Sequence, residues 1–420
     1  MRKRIPGVSV SGARPAKQRL QGVHLSYAGK QGSRDILQTT PAGKLLERST
    51  VGQRIDAREP NRLITGDNLL TMRTLCTDPS VKGQVRLVYI DPPFSTNQEF
   101  RSGSRRTATM SPSGSDALAY TDRLTGAEYL EFLRRRLILL HALLADDGSI
   151  YVHIDSKVGH YVKVLLDEVF GQENFRNDIT RIKCNPKNFS RIGYGNIKDM
   201  VLFFTKSGTC VWNEPRQDMT VEDAKRLFPR VDDLGRRYTT TPVHAPGETK
   251  RGATGEQWNG LTPPPGRHWR VSPRELTHLD EQQLIEWSAS GNPRKKIFAD
   301  DILARGKRVQ DVWELKDPPY PSYPTEKNLS LLERIIRASS NPGDIVLDCF
   351  AGSGTTLVAA ERLSRRWIGI DRSAVAAQVA VRRLKAVENC TLFVHYSCVA
   401  GDRAKTVSTI RSASLTRTNR

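Results

Sequence analysis

Apolar positions along this chain fall into two periods. Between about Arg62 and Ser207, short apolar runs alternate with stretches at helical spacing. "LVYI", Leu87 to Ile90, is a continuous apolar run of the kind buried on both faces of a parallel sheet. From Thr125 to Leu144 the spacing predicts a helix. Thr125 and Glu128 stand as a capping box, and Leu133, Leu137, Leu140 and Leu144 form its core stripe. "GSIYVHID" predicts a strand, "GHYVKVLLDEVFG" a helix and "MVLFFTKSG" a further strand. The same alternation returns after about Tyr323, with "TEKNLSLLERIIRASS" helical, "GDIVLDCF" a strand, "GTTLVAAERLS" a helix and "RWIGID" a strand ending in an acid. Strands alternating with helices predict an α/β fold.

Between these two halves the texture changes. From residue 209 to 311, prolines, glycines, basic residues and tryptophans dominate, which predicts an inserted segment with its own task. The expected layout is a basic irregular arm over 1–55, one half-domain over 56–208, the insert over 209–311, a second half-domain over 312–400 and a basic tail over 401–420. At 420 residues and 38% hydrophobic, the chain can bury a sizeable core. Its formal charge of +20 favours a polyanionic partner, since Lys and Arg release condensed counterions when they meet phosphates. The six cysteines form no CxxC, so neither a zinc site nor a disulfide framework is signalled. A reducing compartment fits, and no apolar run is long enough to span a membrane.

Two short motifs carry chemistry. The first is Asp91-Pro92-Pro93-Phe94, at the mouth of the "LVYI" strand. The bland reading is that prolines end strands. The sharper reading is a rigid corner that holds a flat base: Asp91 and the Pro92 carbonyl accept hydrogen bonds from an exocyclic amine, and Phe94 offers a face for stacking. The second is "DCFAGSGTT", with Gly352 and Gly354 between a strand and a helix, followed by Asp371 at the end of the next strand. Glycines there let a ligand approach the backbone, and the acid suits ribose hydroxyls. A dinucleotide fingerprint would need a third glycine where Leu357 stands, and no P-loop element occurs. That leaves an adenosine ligand with a ribose and no pyrophosphate.

Together, "DPPF" and "DCFAGSGTT" resemble the catalytic and S-adenosylmethionine motifs of DNA amino-methyltransferases. Their order, catalytic motif first and cofactor motif last, is similar to the permuted β-class. "LITGDNLL", "YPTEKNLSLLERIIRASSNPGD" and the insert "WNGLTPPPGRHWRVSPREL" also resemble segments of that class, the last in type III-like adenine enzymes, although Asn328 replaces its usual proline. The resemblance covers roughly residues 60 to 385. It implies a doubly wound, seven-stranded, Rossmann-like methyltransferase sheet in circularly permuted order, with an inserted target-recognition region. Asp91, Pro92, Pro93 and Phe94 would be catalytic. Asp348, Phe350, Gly352, Gly354 and Thr355 would line the cofactor, Asp371 would hold its ribose, Asp67 would lie near its adenine, and Thr325 and Lys327 would close the pocket. The implied reaction is methyl transfer to adenine N6 in double-stranded DNA, since cytosine-N4 enzymes of the class more often carry Ser at the position of Asp91; transfer to cytosine N4 is the alternative. Implied too are a cytoplasmic, nucleoid-associated setting in a bacterial or phage-infected cell, and room for a homodimer or a restriction subunit. No metal is called for.

Other candidates carry two readings each. Trp258 and Trp269 suit base stacking or the packing of a small domain. Arg251, Arg267, Arg270, Arg294, Lys295 and Lys296 suit DNA contacts or a solvated face. His153 and Asp155 read as a satisfied structural pair. A second "DPPY", Asp317 to Tyr320, follows the polar "DVWELK" and reads as a surface turn. The rivals of a different class are a dinucleotide-binding oxidoreductase and a DNA-binding subunit without catalysis.

Overall fold

The protein is described by a computed structural model over residues 23–53, 59–93, 126–186, 192–249, 251–318 and 326–401, with backbone alone for strands at 98–102 and 117–122. Thr125 therefore lies outside the described residues, although the helix it was to cap is present as Gly126–Leu143. The chain divides into two compact units. One is built from the chain up to Asn213 and from Asp311 onward; the other is Glu214–Gln310.

The first unit is organised on one mixed sheet of ten strands. In chain order they are β1 (Gly43–Val51), β2 (Asn61–Thr65), β3 (Val85–Ile90), β4 (Leu144–Ile154), β5 (Phe175–Ile182), β6 (Lys198–Thr205), β7 (Val312–Glu314), β8 (Ile345–Asp348), β9 (Arg366–Asp371) and β10 (Phe393–Ala400). Across the sheet they run β1-β10-β2-β9-β8-β3-β4-β6-β5-β7. The late strand β8 lies at the centre, parallel to β3 on one side and β9 on the other, and β2 is parallel to β9. Hence the ends of β2, β3, β8 and β9 open on the same edge, the usual place for a ligand crevice. The apolar run of β3 suits its position, because it is buried on both faces. Ile64, Val88, Ile90 and Leu347 join a large core with the Gly126–Leu143 and Gly159–Phe170 helices. Their alternating neighbours Leu63, Leu87, Tyr89 and Val346 are equally buried and point to the opposite face.

Three edge strands enlarge the seven-stranded sheet that the resemblance implies. β10 and β1 extend one side and β7 the other. The expected irregular arm is corrected from residue 23 onward. Leu25 and Tyr27 pack on the main core, Leu25 N donates to Glu168 at 2.6 Å, the Tyr27 hydroxyl donates to Glu131 at 2.7 Å, and β1 pairs with β10. Such pairing spans some 350 residues of chain and leaves little local pattern in a half-exposed edge strand. The polar stretch before the second "DPPY" is likewise corrected: it forms β7, parallel to β5, with Trp313 buried.

The second unit has a four-stranded antiparallel sheet in the order Arg230–Val231, Arg237–Pro242, Pro293–Phe298 and Ile285–Trp287. A helix, Pro273–Glu281, opens on a capping box formed by Ser272 and Glu275. Among the described residues of the chain, no helix is long and apolar enough to cross a membrane.

Candidate active site

Asp91 follows β3 directly, and its two carboxylate oxygens have different surroundings. Oδ2 is 3.0 Å from Lys327 Nζ, with the two side chains 16% and 11% exposed. Oδ1 is buried and accepts no hydrogen bond from the described residues. A buried acceptor without a donor is costly, and this one keeps its capacity to accept a hydrogen bond. Pro92 is buried and Pro93 half-buried, with no amide hydrogen to compete there. Phe94 and Thr325 lie outside the described residues.

The glycine turn leaves the end of β8. Asp348 is buried there, accepting from the Phe350 amide at 2.9 Å and from the Thr356 hydroxyl at 2.6 Å. Burial, reinforced by the charges of Asp91 and Asp371, pushes its carboxyl up to about 7. Asp371 ends β9 and latches the turn, accepting from Gly352 N at 2.8 Å and Ser373 N at 2.8 Å. Burial raises its carboxyl as well. The two glycines have different jobs. Gly352, at φ 49°, faces open space, since a β-carbon there would meet nothing nearer than Phe350 O at 3.9 Å. Gly354, at φ 77°, packs against the Ala374–Lys385 helix; a β-carbon would lie 2.8 Å from that of Ala380. The room that a third glycine would give is supplied from the strand instead. Leu357 is buried over Gly369, where a β-carbon would come within 2.4 Å of Leu357 Cδ1.

Several residues that the motifs did not single out hold these parts together. Arg383 donates to Ser353 O at 3.1 Å, Ser353 Oγ at 2.7 Å and Thr355 Oγ1 at 2.9 Å, so the Thr355 hydroxyl is engaged within the turn. It also pairs with Glu326 at 2.8 Å. Asn68 Nδ2 donates to Cys349 O at 2.8 Å, and Arg136 Nε donates to Asn68 Oδ1 at 2.6 Å. The Arg136 guanidinium covers the Phe132 ring at 3.5 Å, and Phe132 meets Phe350 at 6.1 Å between centroids. Burial lowers Arg136 to about 10. Asp67 caps the Asn68–Leu75 helix through Leu69 N and Leu70 N, with its carboxylate half-exposed beside the glycine turn's neighbour Asn68. Asn328, in place of the usual proline, caps the Leu329–Ser339 helix.

A conserved-family comparison decides what this edge of the sheet belongs to. The family described as DNA methylase, which covers N6 and N4 methylases, matches residues 85–382, from the first residue of β3 into the Ala374–Lys385 helix. The chain is a member of the N6/N4 DNA methylase family. A type II methyltransferase of Enterobacter cloacae, M.EcaI, is 41% identical over 367 residues, covering 86% of this chain and 77% of its own. The probable HindVI Mod subunit, from a type III restriction-modification enzyme of Haemophilus influenzae, is 26% identical, covering 78% of this chain but 50% of its own length. Among solved structures, the M1.HpyAVI complex with S-adenosylmethionine is 19% identical at a TM-score of 0.40, covering 77% of this chain and 99% of its own. The family is one of S-adenosylmethionine-dependent methyltransferases. The edge described above suits that cation-bearing group: Gly352 opens space beside the backbone, and three carboxylates, Asp91, Asp348 and Asp371, converge there.

In the insert of the methylase, two expectations change. Trp258 and Trp269 are 3% and 1% exposed and form a core with Val243, Leu276 and Ile285, so neither is a free stacking platform. Their indole N–H groups are occupied, donating to Thr277 Oγ1 at 3.1 Å and Glu256 O at 2.8 Å. Trp287, by contrast, is 43% exposed and stacked on Trp258 at 5.5 Å. Arg267, Arg270 and Arg294 gather around His244; with its burial, their charges hold that imidazole below its ordinary range. Arg294 also donates to Thr240 Oγ1 at 2.8 Å. Arg251 is exposed, Lys295 is half-buried, and Lys296 lies over the Tyr238 ring. In the first unit, the expected His153–Asp155 pair is corrected. His153 lies between Tyr89 OH at 2.8 Å and Asp199 Oδ2 at 3.1 Å, whereas Asp155 accepts from the Lys157 amide at 3.0 Å. Asp317 of the second "DPPY" pairs with the buried Arg181.

Proposed function

We propose that this methylase transfers a methyl group from S-adenosylmethionine to N6 of an adenine flipped out of duplex DNA. The observation that carries the reading is the unpartnered, buried Oδ1 of Asp91 at the mouth of β3. An exocyclic amine is a poor nucleophile, because its lone pair is delocalised into the ring. Asp91 Oδ1 accepts one amine hydrogen and the Pro92 carbonyl the other. Both bonds strengthen as positive charge grows on nitrogen, which stabilises the transition state more than the ground state. Phe94 gives the base a face to stack on. Leaving the duplex costs the base a few kcal/mol. When bound, the cofactor supplies a methyl group activated by a positive sulfur. The chain supplies the frame for it: Gly352 leaves space, Asp371 offers carboxylate oxygens to the ribose, and Asp348 offers negative charge to the methionine end, with Phe350 beside it and Asp67 toward the adenine. An acid rather than serine at position 91 favours adenine over cytosine.

For the insert we assign target recognition. Arg251, Arg267, Arg270, Arg294 and Lys295 supply phosphate and guanine contacts, consistent with the converging charges around His244. The test is transfer of labelled methyl to mixed-sequence duplex DNA, followed by mass spectrometry of the digested nucleosides. N6-methyladenine is the expected product. N4-methylcytosine would overturn the choice of base, and no labelled nucleoside would overturn the reaction.

A further inference from the structure

The Asp91 carboxylate has an arrangement that neither motif requires. A carboxylate on a freely turning bond presents either oxygen to a ligand, because that torsion is broad and two-fold. Here one oxygen is fixed by a charge-assisted bond to Lys327 at 3.0 Å, and the other is left as the buried acceptor. Lys327 is itself held from both sides. The preceding residue, Glu326, pairs with Arg383 at 2.8 Å, and Arg383 grips the glycine turn through Ser353 and Thr355. The following residue, Asn328, accepts from Ser330 N at 2.8 Å to cap its helix and donates to Lys316 O at 2.7 Å. The charge balance at the corner points the same way. The groups that face Asp91 are Lys327, the Asp348 carboxyl, and the buried Tyr89 and His153. Burial and the Lys327 charge hold His153 below its ordinary range.

We propose that Lys327 is a positioning residue for methyl transfer: by holding Asp91 Oδ2 it fixes Oδ1 as the acceptor of the target amine, and the Arg383–Glu326 pair ties this setting to the cofactor turn. The inference rests on the reading of Asp91 given above and holds for either amine, adenine N6 or cytosine N4. It gives Lys327 a task distinct from closing the cofactor pocket.

The experiment compares full-length Lys327→Gln, Lys327→Arg and Glu326→Gln with the natural enzyme. It reads transfer kinetics on duplex DNA and the S-adenosylmethionine Kd by calorimetry. Lys327→Gln is expected to lower kcat about 100-fold, the loss typical of removing one preorganised polar contact. Cofactor Kd and KM for DNA should stay within about threefold. Lys327→Arg should recover most of the rate, and Glu326→Gln should lose part of kcat with cofactor Kd unchanged. A cofactor Kd that rises in step with the loss of kcat would overturn the proposal and return Lys327 to the pocket wall. So would an unchanged kcat, or a lost kcat that Lys327→Arg does not recover. Should Lys327→Gln fail to fold, Glu326→Gln decides alone on the same criteria. Absence of transfer by the natural enzyme would instead refute the reading of Asp91 itself.

Discussion

At the scale of single residues, the site sets negative charge against burial. Asp348 is the clearest case. Its carboxyl is pushed up to about 7 in the folded protein, above its usual unfolded value of 3.8. The folded state then binds more protons than the unfolded chain between those values, so stability falls as pH rises through that window. Asp348→Asn should therefore stabilise the cofactor-free protein at pH 8 by on the order of 2 to 4 kcal/mol, seen as a higher melting temperature, and the gain should shrink toward pH 4. The same variant should weaken cofactor binding. Thermal melts across pH, with and without S-adenosylmethionine, check both parts. The two glycines separate in the same way. Gly352→Ala should fold and lose cofactor affinity, because its side chain would enter open space at a cost of about 1 kcal/mol in backbone strain. Gly354→Val should lose stability first, because its side chain would strike Ala380. Calorimetric titration beside melting curves distinguishes the two.

At the scale of elements, the sequence was most legible where one strand carries its own pattern. The run Leu87–Ile90, the acids at Asp91 and Asp371, and the paired glycines were all readable, because each is local and each sits at a strand end. What stayed hidden depends on partners distant in sequence. Arg383 grips Ser353 from 30 residues away, and Arg136 reaches Asn68 from 68 residues away. No spacing rule announces such pairs. Leu357 was read only as a missing third glycine, whereas Gly369 in the next strand gives it room. The tryptophans of the insert show the same difficulty, since composition does not distinguish a stacking ring from a core ring. Trp258→Ala should destabilise the insert by about 3 to 5 kcal/mol, the usual cost of deleting a large buried side chain. Trp287→Ala should leave its stability nearly unchanged. Hydrogen exchange of the Pro273–Glu281 helix reports the difference directly.

At the scale of the whole molecule, the formal charge of +20 makes binding to DNA strongly salt-dependent. Each phosphate contact removed should reduce the slope of log affinity against log salt by about 0.9. Arg267→Ala and Arg270→Ala should each act in this way on specific and non-specific duplexes alike if they meet phosphates. Either should relax sequence preference if it reads a base. Titrations at several salt concentrations decide between these outcomes. In the function proposed above, the end of β3 handles the amine and the turn after β8 handles the cofactor. The most direct measurement is the paired assay of Asp91→Ala: methyl transfer to duplex DNA beside calorimetric binding of S-adenosylmethionine. Transfer lost with cofactor affinity kept is the expected result. Transfer and binding lost together, or transfer retained, would contradict it.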